Sequence, residues 1–358
     1  MKVDLEIKGL TINDRFFELS GLIQFCKSEI ERGKEPGWKL AVYRFILDFL
    51  SDSATIQQQT SGTTGAKKTI ELLKTAMLVS AKNTIDFFQL KEGEVAVLCL
   101  PIQYIAGKMM VVRALAGGMN LKLIEPSGTP DFSGIEQIDF CAMVPMQASR
   151  LLEKNLWPNL KKLILGGAET GTKLLEQLQP LGTRVFETYG MAETCSHVAL
   201  KRLNGKHPEI TFSALPGVQL SPDERNCLVI ETNYLPEKII TNDCVEMVSE
   251  NQFKWLGRFD NIINSGGIKI QPEILETQFQ EILGKTCAIL GFPDELLGHK
   301  LVLVMENTEK QGQILSKLAL HFDKKLLPKD VYFIDNFPRN KSFKIDRKAL
   351  VELINDRL

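Results

Sequence analysis

Between residues 70 and 187 the sequence switches repeatedly between two apolar spacings. Helix-period stretches fall at 70–88, 108–116, 147–154 and 172–179. Short apolar or β-branched runs fall between them, at 94–100, 120–124, 140–144, 160–165 and 184–187. Strands separated by helices cannot pair as hairpins. They pair in parallel, with helices covering the sheet and loops gathered at the strand ends. The expected fold class is therefore α/β, built on a large layered domain whose ligand sites lie at the ends of its strands.

Other segments flank that core. Val3, Leu5 and Ile7 alternate within 1–14, as in an edge strand. Phe16, Leu19, Ile23 and Cys26 fit a helical face over 15–32, and Leu40, Tyr43, Ile46, Leu47 and Leu50 fit another over 38–50. The stretch 57–68 is polar and reads as loop. From 212 to 255 the pattern is strand and turn. A small α+β region follows, with strands expected at 287–292 and 300–305. A boundary near Gly257 gives an N-terminal domain, 1–256, and a smaller C-terminal one, 257–358. The length of 358 residues agrees, since domains average about 150 residues.

Composition narrows the function. Hydrophobic residues make up 44% and charged residues 24%, which excludes a disordered or collagen-like chain. Lys plus Arg number 43 against 44 Asp plus Glu, a net charge of −1, so nothing global draws the chain to nucleic acid. The seven cysteines, at 26, 99, 141, 195, 227, 244 and 287, form no CxxC pair and read as buried thiols of a reducing compartment. The first ten residues lack the apolar core of a signal peptide, and the longest apolar run, near 95–102, is too short to span a bilayer. A cytoplasmic protein without membrane insertion is expected. Oligomeric state is not encoded in any motif.

Four segments carry chemistry. Residues 60–68, Thr-Ser-Gly-Thr-Thr-Gly-Ala-Lys-Lys, place hydroxyls, flexible glycines and cations together, a composition suited either to phosphate oxygens or to a solvated turn. Its spacing is not that of a P-loop, because Lys67 stands where the second glycine should be. Residues 187–194, Glu-Thr-Tyr-Gly-Met-Ala-Glu-Thr, follow an expected strand; Tyr189 could stack on a base and Glu193 could hold a hard cation, or the segment is an ordinary turn. Residues 241–243 and 257–272 bring Asp243, Arg258 and Asp260 near an Asn-Ser-Gly-Gly hairpin turn. Residues 338–347 form a basic stretch near the C-terminus.

Taken in order, these segments resemble the signatures of the adenylate-forming superfamily, which holds acyl-CoA synthetases, luciferase and adenylation domains. The match runs through Thr60–Lys68, Gly166-Gly167-Ala168, Tyr189–Glu193, Thr241–Asp243, Gly257–Ile270 and Pro338–Ile345. The resemblance implies ATP and Mg²⁺ as cofactors, coenzyme A as co-substrate, and two steps: a carboxylate displaces pyrophosphate from ATP, and a thiol then displaces AMP. It further implies that Thr60, Ser61, Gly62, Thr63, Thr64, Gly65 and Lys68 hold the β- and γ-phosphates. Gly167 and Ala168 would line the adenine, Tyr189 with Gly190 would close over it, and Glu193 would bind the metal. Asp243 and Arg258 would hold the ribose. Lys344 would be the catalytic lysine, Asp260 the hinge, and Lys269 a residue of the CoA tunnel.

Three positions depart from the family pattern. Tyr104 stands for a His, Ala192 for the Thr of YG-x-TE, and Phe343 for the Gly before the lysine. The phosphate motif also begins only about 60 residues in. That shortening, with the segments at 100–115 and 187–201, is most similar to the o-succinylbenzoate–CoA ligases of menaquinone synthesis. The resemblance then implies a small aromatic acid with a second carboxylate, for which Gln103, Tyr104, Lys108 and His197 are the candidate contacts. Two competing readings are a nucleotide-binding pseudoenzyme and an acyl-AMP ligase that loads a carrier protein.

Overall fold

The computed structural model describes residues 7–60, 68–306, 311–339 and 345–356. They divide into two compact units. The first holds residues 1–169, 177–219 and 230–239; the second holds 170–176, 220–229 and 240–358.

A parallel sheet forms the centre of the first unit. Strand Val95–Leu98 pairs in parallel with Asn120–Leu123 on one side and Ile138–Met143 on the other. Leu160–Leu165 and Arg184–Gly190 extend the parallel series. His197–Arg202 then turns back antiparallel on Arg184–Gly190. Ile138–Met143 is buried at every position, as expected of a strand covered on both faces. Helix Ile105–Gly117 packs beside Lys74–Phe88, and eight of its residues, Arg113 among them, are buried. Gly107, in the first turn of that helix, leaves no room for a side chain, because an added Cβ would lie 2.5 Å from the Pro101 carbonyl oxygen.

Three expectations at the N-terminal end are corrected. Val3 and Leu5 lie outside the described residues; the first strand among the described ones is Gly9–Ile12, which excludes Ile7 and is not the edge: it pairs with Asn120–Leu123 and with the outer strand Arg15–Glu18. The helix expected over 15–32 accordingly begins only at Leu19. The stretch read as loop before the phosphate motif is a strand, Thr55–Thr60, which pairs antiparallel with Lys68–Leu73, the first turn of the expected 70–88 helix. That helix runs Lys74–Phe88. A two-stranded ribbon with Gln57 and Gln59 exposed carries no alternation strong enough to be read as a strand.

In the second unit, Ile239–Ser249 and Gln252–Arg258 form an antiparallel hairpin. The 3₁₀ turn Phe259–Asn261 follows. Ile263–Ser265 and Ile268–Ile270 then pair across Gly266 and Gly267, whose φ values of 55° and 80° are those of the primed hairpin turn expected from Asn-Ser-Gly-Gly. Beyond them, Gly298–Glu306 pairs antiparallel with Cys287–Asp294 and in parallel with Asp330–Ile334. Alternation sorts this sheet into two faces. Ile289, Leu301 and Leu303 pack with Leu275 and Phe279 of helix Pro272–Leu283 and with Ile314 and Leu318. Leu290, Val302 and Val304 pack with Leu350 and Ile354 of helix Arg347–Asn355. All seven cysteines are buried and unpaired, as their scatter predicts. Among the described residues, no helix is long and apolar enough to cross a membrane.

Candidate active site

The C-terminal ends of adjacent parallel strands gather the central motifs. Leu165 lies opposite Glu187, so Gly166–Ala168 and Thr188–Gly190 emerge side by side. Both segments need their glycines. A Cβ on Gly166 would fall 2.5 Å from the Thr188 hydroxyl, and Gly167 has φ of 85°. A Cβ on Gly190 would strike the Ser196 carbonyl oxygen at 2.4 Å and His197 Cα at 2.5 Å. Gly167, Ala168 and Gly190 are exposed, leaving a backbone ledge open to a flat ligand. Tyr189 is largely buried, with its ring 5.9 Å from that of Phe212.

The segment after Gly190 is a tight turn. The Cys195 N–H donates to the Ala192 carbonyl at 2.9 Å, so Glu193 and Thr194 are its central residues. Glu193 is exposed and Thr194 fully buried. The Thr194 hydroxyl accepts from the Met191 N–H at 2.9 Å and lies 2.6 Å from the Ser196 carbonyl, to which it donates. Cys195 holds a left-handed φ of 64°, and burial pushes its thiol up to about 12. Such a thiol is inert, which agrees with its lacking a nucleophile's signature.

Metal demand can be set against these groups. Among the described residues, no three His, Cys, Asp or Glu side chains converge as a metal cage. Mg²⁺ does not need one, since it is commonly held by one or two carboxylates, water and substrate phosphates. An exposed Glu193 beside the ledge fits that mode, and a Mg²⁺ held there would neutralise phosphate charge.

Behind the turn lies a residue that the motifs did not single out. Arg113 is 1% exposed. Its guanidinium donates to Thr84 Oγ1 at 3.2 Å and Ser196 Oγ at 2.5 Å, and faces His197 Nδ1 at 3.4 Å. His197 Nε2 lies 3.2 Å from Thr84 Oγ1. Burial and the adjacent guanidinium hold His197 well below its ordinary pKa, so it is neutral, and burial lowers Arg113 to about 9. No carboxylate among the described residues forms an ion pair with Arg113. The sequence held one signal: an arginine in Met-Met-Val-Val-Arg-Ala-Leu-Ala, with apolar neighbours on every side of the helix.

The other acid candidates separate. His197 joins Arg113. Lys108 Nζ donates to the Gln57 carbonyl at 2.8 Å and stands 5.7 Å from the Phe45 ring, and desolvation lowers its pKa. The Gln103 carbonyl accepts from Gln58 Nε2 at 3.1 Å. Tyr104 is the N-cap of helix Ile105–Gly117. Lys108 and Gln103 thus brace the strand that leads into the phosphate motif. Thr60 and Lys68, the ends of that motif, are register partners. Ser61, Gly62, Thr63, Thr64 and Gly65 lie outside the described residues, as do Phe343 and Lys344.

Within the second unit, Asp243 and Arg258 are direct partners on the hairpin. Arg258 Nη1 is 3.7 Å from Asp243 Oδ1 and Nη2 is 2.9 Å from Asp260 Oδ2. Asn242 Nδ2 donates to both Asp260 oxygens at 3.2 Å. Three of the residues singled out from the sequence therefore form one cluster. Lys269 is exposed on the strand opposite Asn264 and lines a cleft of about 770 Å³ with Arg225, Phe259 and Gln271. Arg339 and Ile345, which flank the segment of Lys344, form an antiparallel bridge.

Comparison with known proteins identifies the family. The family described as AMP-binding enzyme matches residues 50–221. An acyl-CoA synthetase (AMP-forming)/AMP-acid ligase II-like protein from Dyadobacter fermentans is 34% identical, with 92% of this chain and 98% of that one covered and a TM-score of 0.60. The chain belongs to this family of AMP-forming acyl-CoA synthetases and AMP-acid ligases. A 2-succinylbenzoate–CoA ligase from Staphylococcus aureus (strain Newman) is 24% identical over 97% of this chain and 76% of its own length. The o-succinylbenzoate CoA synthetase MenE from Bacillus subtilis, in complex with the acyl-adenylate OSB-AMP, shares the fold at a TM-score of 0.78, with 17% identity over 97% of this chain and 96% of that one.

Proposed function

We propose that the protein is an ATP- and Mg²⁺-dependent ligase that joins an aromatic dicarboxylic acid of the 2-succinylbenzoate type to coenzyme A. In the first step a carboxylate oxygen attacks the α-phosphorus of ATP and the bond to pyrophosphate breaks. In the second, the CoA thiolate attacks the acyl carbon and AMP leaves. Family membership and the names of the curated relatives support this reaction type.

The observation that carries the acid class is Arg113. A buried guanidinium surrounded by a threonine, a serine and a neutral histidine retains an uncompensated charge. A second carboxylate on the acid complements it. Glu193 supplies the metal carboxylate, Asp243 and Arg258 hold the ribose, and Tyr189 with the Gly167–Ala168 ledge takes the adenine. Residues 257–358 act as the mobile domain, turning at Asp260 to exchange Lys344 for Lys269 between the two steps. Seven unpaired buried thiols fit a reducing cytoplasm.

The test is pyrophosphate release on mixing enzyme, ATP, Mg²⁺ and 2-succinylbenzoate, followed by thioester formation on adding CoA. Nucleotide binding with no pyrophosphate from any aryl acid would replace this reading with a pseudoenzyme. Acyl-AMP that passes to a phosphopantetheinyl carrier but not to CoA would change the acceptor.

A further inference from the structure

The turn that displays Glu193 is held in an unfavourable backbone conformation by groups that are not themselves candidate metal ligands. Cys195 is fully buried, is not a glycine, and sits at φ 64°. Left-handed non-glycine residues persist where the surroundings over-determine them, and they concentrate at functional sites. Here two anchors do so. Thr194, buried on the same turn, joins its two sides through one hydroxyl, accepting from the Met191 N–H at 2.9 Å and donating to the Ser196 carbonyl at 2.6 Å. Ser196 is held in turn by Arg113, whose Nη2 lies 2.5 Å from its hydroxyl. On the strand side, Gly190 and His197 are register partners that leave no room for a side chain on Gly190.

We infer that Thr194 is a positioning residue for the metal carboxylate: its hydroxyl fixes the turn so that Glu193 points outward at one place and angle. The inference rests on the proposed role of Glu193. Outer partners of a metal ligand act by orienting it, and removing them typically lowers metal affinity about 10- to 100-fold. A merely structural threonine would instead alter melting without altering the metal requirement.

The experiment compares Thr194→Val, which keeps the branched shape and loses the hydroxyl, with Thr194→Ser, which keeps the hydroxyl. Free Mn²⁺ is counted by electron paramagnetic resonance in the presence of ATP, and half-saturating Mg²⁺ is read from pyrophosphate release. Thr194→Val should weaken both about tenfold or more, and Thr194→Ser should stay within about threefold of the parent. Thr194→Ala carries the same test if the valine variant does not accumulate. Parent-like Mn²⁺·ATP binding and Mg²⁺ demand in the valine or alanine variant would overturn the inference. So would a serine variant as impaired as the valine one. Glu193→Gln separates the two claims. If it is impaired while the threonine variants are not, only the positioning role fails; if it binds Mn²⁺·ATP as the parent does, the metal assignment itself fails.

Discussion

Asp243 and Arg258 stand opposite one another on a single hairpin, carboxylate to guanidinium at 3.7 Å, with Asp260 on the other side of the same guanidinium at 2.9 Å. Two acidic residues thus compete for one cation, and one of them is the proposed hinge. A ribose held by Asp243 and Arg258 would be sensed next to the proposed hinge residue.

Asp243→Asn keeps the size and removes the charged acceptor. A hydrogen bond to a charged group contributes about 1.5–3 kcal/mol. Steady-state kinetics should show a tenfold to hundredfold loss of kcat/KM for ATP, on the order expected from that energy. Unchanged ATP kinetics would remove Asp243 from the ribose site.

Lys344→Ala should reduce acyl-AMP formation by at least about 100-fold, since it removes a cation acting on the reacting phosphate. Thioester formation from preformed acyl-AMP and CoA should persist if, as proposed, Lys344 serves the first step alone. Equal loss in both half-reactions, measured separately by rapid quench, would refute the division of labour between Lys344 and Lys269.

Arg113→Met replaces the buried guanidinium with an apolar chain of similar length. The KM for a dicarboxylic acid should rise at least about tenfold, because truncating one side of a buried charge pair usually costs several kcal/mol. The KM for ATP should hardly move. An acid KM that stays put while the fold survives would mean that this cation serves packing alone.

His197 gives a pH dependence of known sign. Burial and Arg113 keep it neutral in the folded state well below its ordinary value of 6.5. The unfolded chain gains a proton as pH falls through that value and the folded chain does not. The stability from this residue is therefore complete above about pH 6.5 and is lost as pH falls below it. Denaturant titrations from pH 7.5 to 5.5 should show a steeper decline for the parent than for His197→Asn. The difference should reach at most about 1.4 kcal/mol per pH unit. Parallel curves would contradict the neutral assignment.

Gly190→Ala forces a methyl onto the backbone of Ser196 and His197, where nothing flexible can yield. A destabilisation of about 2–3 kcal/mol is expected from overpacking of this kind, read by thermal melting, together with lost nucleotide binding.

Strong periodicity was the legible part of the chain. Strand Leu160–Leu165 occupies the residues expected, because an apolar run bounded by Pro158 and by Gly166 has little freedom in its ends. The strands Thr55–Thr60 and Lys68–Leu73 were hidden: glutamines dominate the first, and Ile70, Leu72 and Leu73 merge with the spacing of the helix that follows. Asp243, Arg258 and Asp260 were found by motif and do assemble. Arg113 and Thr194 escaped although each lies in a segment singled out from the sequence, at 100–115 and 187–194, because nothing in those segments assigned either residue a chemical role. Their roles arise from what the fold packs around them, an apolar helix for one and a strained turn for the other. Lys108 illustrates the converse: its place beside the acid segment was legible, and its partner, a main-chain carbonyl at Gln57, was not.

The burial of every native thiol makes this chain unusually ready for labelling. A sulfhydryl introduced at an exposed site on each side of Asp260, one before residue 257 and one after it, would meet maleimide reagents long before the seven internal ones. Paired fluorophores or spin probes could then reveal whether residues 257–358 turn as proposed, in an otherwise unaltered polypeptide.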